Sequence, residues 1–515
     1  MRCSARVLFS IVAAAAILCA CSGHSQTPTT HPTPTPTPTA PPSGGMPSPS
    51  PTPTAAPTGS TAPTLDDWPL DEHDSARSGV SNEVAGTPGP LTLKQLWQTN
   101  LGDTADTSPI EWNGMLYATV HNGTTYGISA ATGAKVWTFT TSGVHITTSE
   151  PAYDTSANEL YAGGIDGKIH RLNPATGVED TSHGFPVTIT LATATEKDAS
   201  PLNVANGYVY AQTSGYNGDA PPYVGHVVAI NTSTGQLHVF NSLCSSYTTL
   251  INPSTCDQSD SGLWSRAGPV VDPDPAMGGA VFAATGNGYY DPPSGNYGDS
   301  ILSLKPDMSV LLGYYAPPNA LTLQEEDLDL GSTSPALVPR QGTSNTPLMA
   351  VQGGKDQILR LVDRTNLTGS GALLQSISLD AKVYSAPAIY QAPGGALYVY
   401  VGLPDGMYAY TLTTLGGLSQ LTQVWKANLS LGGEGTSAAV RGGVVYVAAS
   451  GELNALNATT GAVLGTATIG GVHWESPMIA RGVVYITDES HNLTAFQIVP
   501  NAPASRTRAL PAPHQ

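Results

Sequence analysis

Charge is scarce in this sequence, and it leans one way. Only 11% of the 515 residues are charged, with 38 acids against 20 bases and a formal net charge of −18. Nucleic-acid binding rests on Lys and Arg neutralising phosphates, so such a chain is not built for it. No long amphipathic helical pattern follows the first twenty residues, which points away from helical folds. No Cys-x-x-Cys-His occurs, which excludes a covalently held haem. Cys244 and Cys256 lie twelve residues apart with no histidine near them, too few ligands for zinc. What is abundant is turn chemistry: 55 glycines and 43 prolines suit a chain of many short strands.

The stretch from Thr107 to Phe139 shows the unit. Ser108-Pro109 fits the mouth of a strand, because proline lacks the N–H of an interior ladder position. Asn113-Gly114 is a two-residue hairpin signal inside Ile110 to Tyr117. A third strand, Tyr126 to Ser129, runs into the tight turn Ala131-Thr132-Gly133, and Lys135 to Phe139 is a fourth carrying a large aromatic. One such sheet cannot bury both faces and so needs neighbours. Seven follow. The Ser-Pro marker or its equivalent recurs at Pro151, Pro201, Pro269, Pro335, Pro387, Ala438 and Pro477, at spacings of 39 to 68 residues. Turn glycines recur at Gly177, Gly235 and Gly461. Eight four-stranded units at this period predict an all-β fold, an eight-bladed β-propeller of antiparallel blades. The last copy, from Glu475 to Val499, holds three strands, and Leu93 to Leu101 is a spare one near the front. The N-terminal strand is therefore expected to close the ring and remove its exposed edges.

Residues 1–20 read as an export leader: Arg2 and Arg6, then an apolar run from Val7 to Leu18 too short to span a membrane comfortably. Losing it takes two bases and no acid from the chain. Leu18-Cys19-Ala20-Cys21 resembles the bacterial lipobox, which implies cleavage before Cys21, a lipid on its sulfur, and an exported protein anchored to the bacterial cell membrane, on its periplasmic or outer cell-surface side. Residues 21–64 are then a disordered tether. Thirteen prolines between Thr27 and Thr64 favour extended polyproline II. At ~3.1 Å per residue such a spacer reaches on the order of 100 Å. Residues 65–499 form the propeller and 500–515 a patternless tail. With Cys21 acylated, Cys244 and Cys256 remain, and in an exported protein they are expected to pair as a disulfide.

Trp68-Pro69 through Arg77-Ser78-Gly79, together with the repeats, resembles the pyrroloquinoline quinone (PQQ) repeat family across about Trp68 to Val499. That family spans quinoprotein alcohol dehydrogenases and non-catalytic propellers, including a lipoprotein of outer-membrane barrel assembly, so fold alone does not decide activity. Ala284-Thr285-Gly286-Asn287-Gly288 resembles the segment whose asparagine ligates Ca²⁺ in the dehydrogenases, which implies that role for Asn287. Asp327-Leu328-Asp329-Leu330-Gly331 resembles the segment of the general base; the resemblance implies Asp329, with Asp327 as its alternative, and Asp329 as a metal neighbour. Gly353-Gly354-Lys355-Asp356 before Leu361-Val362-Asp363-Arg364 resembles the segment whose lysine contacts the quinone, which implies Lys355. Trp264 is the candidate aromatic floor, although Arg266 better fits the register set by Asp272-Pro273. The chain also departs from that pattern. It has no Cys-Cys, and the acidic calcium ligand is replaced by Tyr216-Asn217-Gly218, with Asp219 further on as a substitute ligand.

Three functional readings follow, in order. The first is an exported, membrane-anchored propeller that binds an envelope protein or a small ligand, with a degenerate quinoprotein-type central site, no cofactor and a monomeric state. The second is a PQQ- and Ca²⁺-dependent dehydrogenase of alcohols or polyols. The third is a carbohydrate- or cell-wall-binding propeller that stacks sugars on exposed Tyr289, Tyr290, Tyr297, Tyr314 and Tyr315.

Overall fold

The computed structural model describes residues 66–501 except 84–85, 144, 217–219 and 431–433. The proposed leader, Cys21, the tether, residues 502–515 of the tail and Asp219 all lie outside the described residues.

Blade one is the unit read from Thr107 to Phe139. Its strands are Ile110–Trp112, Met115–Val120, Thr124–Ser129 and Lys135–Thr140, paired antiparallel in that order. Asn113 and Gly114 both take positive φ (50° and 85°), as a type I′ hairpin requires. Six further blades follow in chain order, beginning at Ala152–Asp154, Asn203–Ala205, Val270–Val271, Ala336–Val338, Ala388–Gln391 and Ala439–Arg441. Blade four also carries a small hairpin, Tyr290–Asp291 with Asn296–Tyr297. The eighth blade has three strands from the end of the chain, Met478–Ala480, Val483–Asp488 and Asn492–Pro500. Its outermost strand is Leu91–Asn100, paired antiparallel from Leu91 opposite Pro500 to Asn100 opposite Asn492, with a bulge between Gln95 and Trp97. Ring closure by the N-terminal segment is thus as the repeat count required. Val80–Ser81 adds a short parallel strand to the inner edge of blade seven, which the repeat pattern did not signal.

One device joins neighbouring blades. Trp137 on the outer strand of blade one lies over the turn glycine of blade two, Gly177, and its Nε1–H donates to Pro174 O at 2.9 Å. Trp425 of blade six covers Gly461 of blade seven and donates to Ala458 O at 3.0 Å. Trp97 does the same across the closure. It covers Gly133 of blade one and donates to Ala130 O at 2.9 Å. Gly133 has φ +71°, and a Cβ there would sit 2.6 Å from the indole, so the position needs glycine twice over. The repeated aromatic and the repeated turn glycine are two halves of one contact, and its presence between blades eight and one makes the closure an ordinary blade interface.

Residues 66–79 form a hub at one end of the ring. Backbone bonds tie Asp66 to Arg481, Trp68 to Glu111, Pro69 to Tyr153, Ser75 to Val271, Ser78 to Ile389 and Gly79 to Val440. Those partners belong to, or directly follow, the first strands of blades eight, one, two, four, six and seven. Blade three joins through Arg77, whose Nη2 donates to Leu202 O at 2.8 Å, and through Asn203, which donates to Ser75 O. Glu72, His73 and Arg77 all have positive φ, a cost of about 1–3 kcal/mol each that only so many surrounding bonds can hold.

Candidate functional site

The first strand of each blade runs from the ring's other end towards the hub. The residues just ahead of those strands therefore gather at the opposite mouth of the central channel. A cavity of 400 Å³ opens there, lined by Lys197, Tyr216, Trp264, Lys355, Tyr384 and Trp474 among others. Thr148, Tyr384 and Trp474 each stand three residues before a marker proline, Pro151, Pro387 or Pro477. That offset is the signal by which Tyr384 and Trp474 were legible in the sequence, although neither was singled out.

Trp264 is on the wall of this pocket, stacked on Trp474 with ring centroids 6.0 Å apart and planes 14° apart. Arg266 takes another place. Its guanidinium lies 4.5 Å from the Trp474 ring and donates to Trp474 O, so it supports the partner indole rather than replacing Trp264.

The structure brings Asn287, Asp327, Asp329 and Lys355 together beside Trp264. Lys355 Nζ is 2.5 Å from Asp329 Oδ2 and 2.8 Å from Asp327 Oδ1, and 5.2 Å from the Trp264 ring centroid. Asn287 donates its backbone N–H to Asp329 Oδ1 at 2.6 Å and its Nδ2–H to Asp327 Oδ1 at 2.7 Å. Asp329 is buried, whereas the Asp327 side chain is 67% exposed. Gly286 allows the approach, since a Cβ there would lie 2.1 Å from Asp329 Oδ1. Burial works against the charge of Lys355, but the two carboxylates outweigh it and raise its pKa. Asp327 is lowered: burial opposes this, and the bonds from Lys355 and Asn287 overcome it. Behind them Asp299 is pushed well up by burial, with the charges of Asp329 and Asp356 adding to it. Lys355 is largely buried, and Asp356 is bound to Arg360 within the blade.

The donor set decides whether Ca²⁺ fits. Calcium takes about six to eight oxygen ligands. Within reach are the carboxylates of Asp327 and Asp329 and the Oδ1 of Asn287, which is buried and accepts no hydrogen bond from the described residues. Both carboxylates already hold the Lys355 ammonium, and Asp299 turns one oxygen to the N–H of Leu330 at 3.0 Å. The two indoles stack on one another rather than parting for a planar guest. As arranged, these residues do not fit a Ca²⁺-bound quinone.

The other sequence-derived positions separate from this pocket. Cys244 and Cys256 form a disulfide, with Cα atoms 5.9 Å apart, in the connection between blades three and four. Of the five tyrosines expected to be exposed, Tyr289 alone is, at 38%; Tyr290, Tyr297 and Tyr314 pack against each other and Tyr315 is fully buried in blade four. Alternation explains this: Tyr314 and Tyr315 are adjacent on a strand, so one must face inward.

A PQQ-repeat family model described as outer membrane protein assembly factor BamB matches residues 91–255 and 414–499. With the eight blades in place, the chain is an eight-bladed β-propeller that resembles the PQQ-repeat family over the matched residues. Quinohemoprotein alcohol dehydrogenase from Comamonas testosteroni superposes with a TM-score of 0.58 at 17% identity, over 85% of this chain and 81% of that one. A europium-containing methanol dehydrogenase gives 0.57 at 15% identity, over 82% and 89%. BamB from Moraxella catarrhalis gives 0.52 at 14% identity, over 80% of this chain and 99% of that one. These likenesses are of fold. No curated protein sequence matches the chain.

Proposed function

We propose that this protein is an exported binding propeller, tethered to the bacterial cell membrane through a lipid on Cys21, whose axial pocket holds a small polar ligand or a side chain of an envelope protein. The observation that carries this reading is Lys355, whose ammonium is bound by Asp327 and Asp329 where the dehydrogenase reading needs one of them as a base and Asp329 beside a metal. The pocket itself suits recognition. Indole and phenol faces from Trp264, Trp474 and Tyr384 line it together with Lys197, Lys355 and Glu434. The match to a BamB model over blades one to three and seven to eight supports a platform in the cell envelope. One observation favours the dehydrogenase reading, the unpartnered Oδ1 of Asn287 beside a buried carboxylate.

The two readings part in one assay. The purified chain is mixed with PQQ and Ca²⁺ and offered a panel of alcohols and an artificial electron acceptor. The binding reading expects no acceptor reduction above the protein-free control. Reduction that needs both additions and disappears in Asp329→Asn overturns it.

A further inference from the structure

A second cluster of ligating groups lies where the ring closes, and no reading above uses it. Asp106 lies in the connection between the closing strand and blade one, His473 just ahead of blade eight, and Glu489 just beyond the second strand of that blade. One ligand atom from each of the three falls within 4.8 Å of the others, a spacing that a single ion spans. His473 and Glu489 are exposed, so the site is open to solvent, while Asp106 is buried at its base.

The surroundings are those of a built site. Asp106 Oδ2 takes a bond from His121 Nε2 at 2.8 Å, which leaves Oδ1, buried and accepting no hydrogen bond of normal geometry, 3.5 Å from His473 Nδ1. The opposite ring nitrogen, His473 Nε2, faces Glu434 at 3.5 Å. A carboxylate behind the far nitrogen of an imidazole is the arrangement that orients a metal-bound histidine. Glu475 supplies a separate observation. It is fully buried, its Oε2 accepts the backbone N–H groups of His473 (2.6 Å) and Trp474 (3.0 Å), and its side chain also bonds to Glu489. Glu475 thus ties the backbone beneath His473 to the Glu489 side chain. Four carboxylates thus face two imidazoles and the Arg266 guanidinium, whose charge acts on Asp106 and Glu434.

We propose that Asp106, His473 and Glu489 bind a divalent first-row transition cation such as Zn²⁺ or Mn²⁺, with His121, Glu434 and Glu475 orienting the ligands. An imidazole among the donors disfavours Ca²⁺ and suits these borderline ions. Binding takes the proton from His473 Nδ1 into solvent and leaves the Nε2–H pointing at Glu434. The site ties the closing segment to the last blade, and it stands whether or not the axial pocket takes a ligand.

The test titrates the full chain, stripped with a chelator and held in detergent, with Zn²⁺ by calorimetry and with Mn²⁺ by electron paramagnetic resonance. One ion per chain with micromolar or tighter affinity is expected, together with a raised melting temperature. Glu489→Gln and His473→Gln each weaken binding by roughly tenfold or more, as does Glu434→Gln behind the histidine, while Asp329→Asn leaves it unchanged. Glu489 is exposed, so its variant tests the site even if another fails to fold. No binding at about millimolar metal, or binding that survives Glu489→Gln in folded protein, overturns the proposal.

Discussion

Trp264 and Trp474 stack across the axis of the ring. One comes from the connection between blades three and four and the other from that between blades seven and eight, so the pair bridges diametrically opposed positions at 6.0 Å. Both indoles line the axial pocket. Two indoles this close and nearly parallel couple electronically. Far-ultraviolet circular dichroism of the folded protein should show an exciton couplet that disappears in Trp474→Leu and in Trp264→Leu alike. The stack contributes about 1 kcal/mol beyond its buried area, so both variants stay folded.

Arg364 and Asp272 make a buried ionic link between blades four and five. Arg364 Nε donates to Asp272 Oδ2 at 2.6 Å, and Nη1 donates to the carbonyls of Val338 and Met349 at 2.7 and 2.6 Å, with both side chains buried. Removing one partner strands a buried charge at a cost of about 3–5 kcal/mol. Denaturant unfolding of Arg364→Leu should show that loss, and Arg364→Leu combined with Asp272→Leu should recover part of it.

The closing strand predicts where the chain tolerates shortening. Protein lacking residues 1–65 retains the whole hub and should melt with the full chain. Protein lacking residues 1–101 has lost the hub, the outer strand of blade eight and the Trp97 contact with Gly133. It leaves the three remaining strands of that blade with a bare edge, so scanning calorimetry should show no cooperative transition.

The hub makes stability depend on pH. His73 sits between Asp66 (2.8 Å) and Asp74 (3.3 Å). Burial alone would lower its pKa; its bonds to the two carboxylates raise it from 6.5 to about 9. Stability from this proton is full below pH 6.5 and is lost as pH rises through 9. Asp198 and Glu111, raised by burial to about 7 and about 8, act in the same direction from lower pH. The melting temperature should therefore fall between pH 6.5 and 9, and His73→Gln should flatten that fall without moving the melting temperature at pH 9 as much as at pH 6.

The blade count and the closing strand were legible because the unit repeats and its last copy is one strand short, whereas the contact of tryptophan on turn glycine emerged only in the structure. A spacing read once in Thr107–Phe139 returns wherever the backbone makes the same turn. The side chains around Lys355 were legible only through resemblance, which named Asn287, Asp329 and Lys355 but not the ion pair they make. The stack of Trp474 on Trp264 escaped because the two lie 210 residues apart in the chain. Asp106, His473 and Glu489 escaped for the same reason, since the two ends of the chain meet only when the ring closes. The depth of Tyr315 depended on which face of its strand looked inward, and two adjacent tyrosines do not say.

The most direct measurement on the axial pocket is a calorimetric titration of Ca²⁺ into the folded protein and into Lys355→Met. If the Lys355 ammonium is the resident counter-charge of Asp327 and Asp329, the unaltered protein gives no saturable heat that depends on Asp329, and Lys355→Met, with both carboxylates released, gains a binding isotherm that Asp329→Asn removes. A saturable isotherm in the unaltered protein, lost in Asp329→Asn, would show that the site is built for the metal and contradict the binding-propeller account.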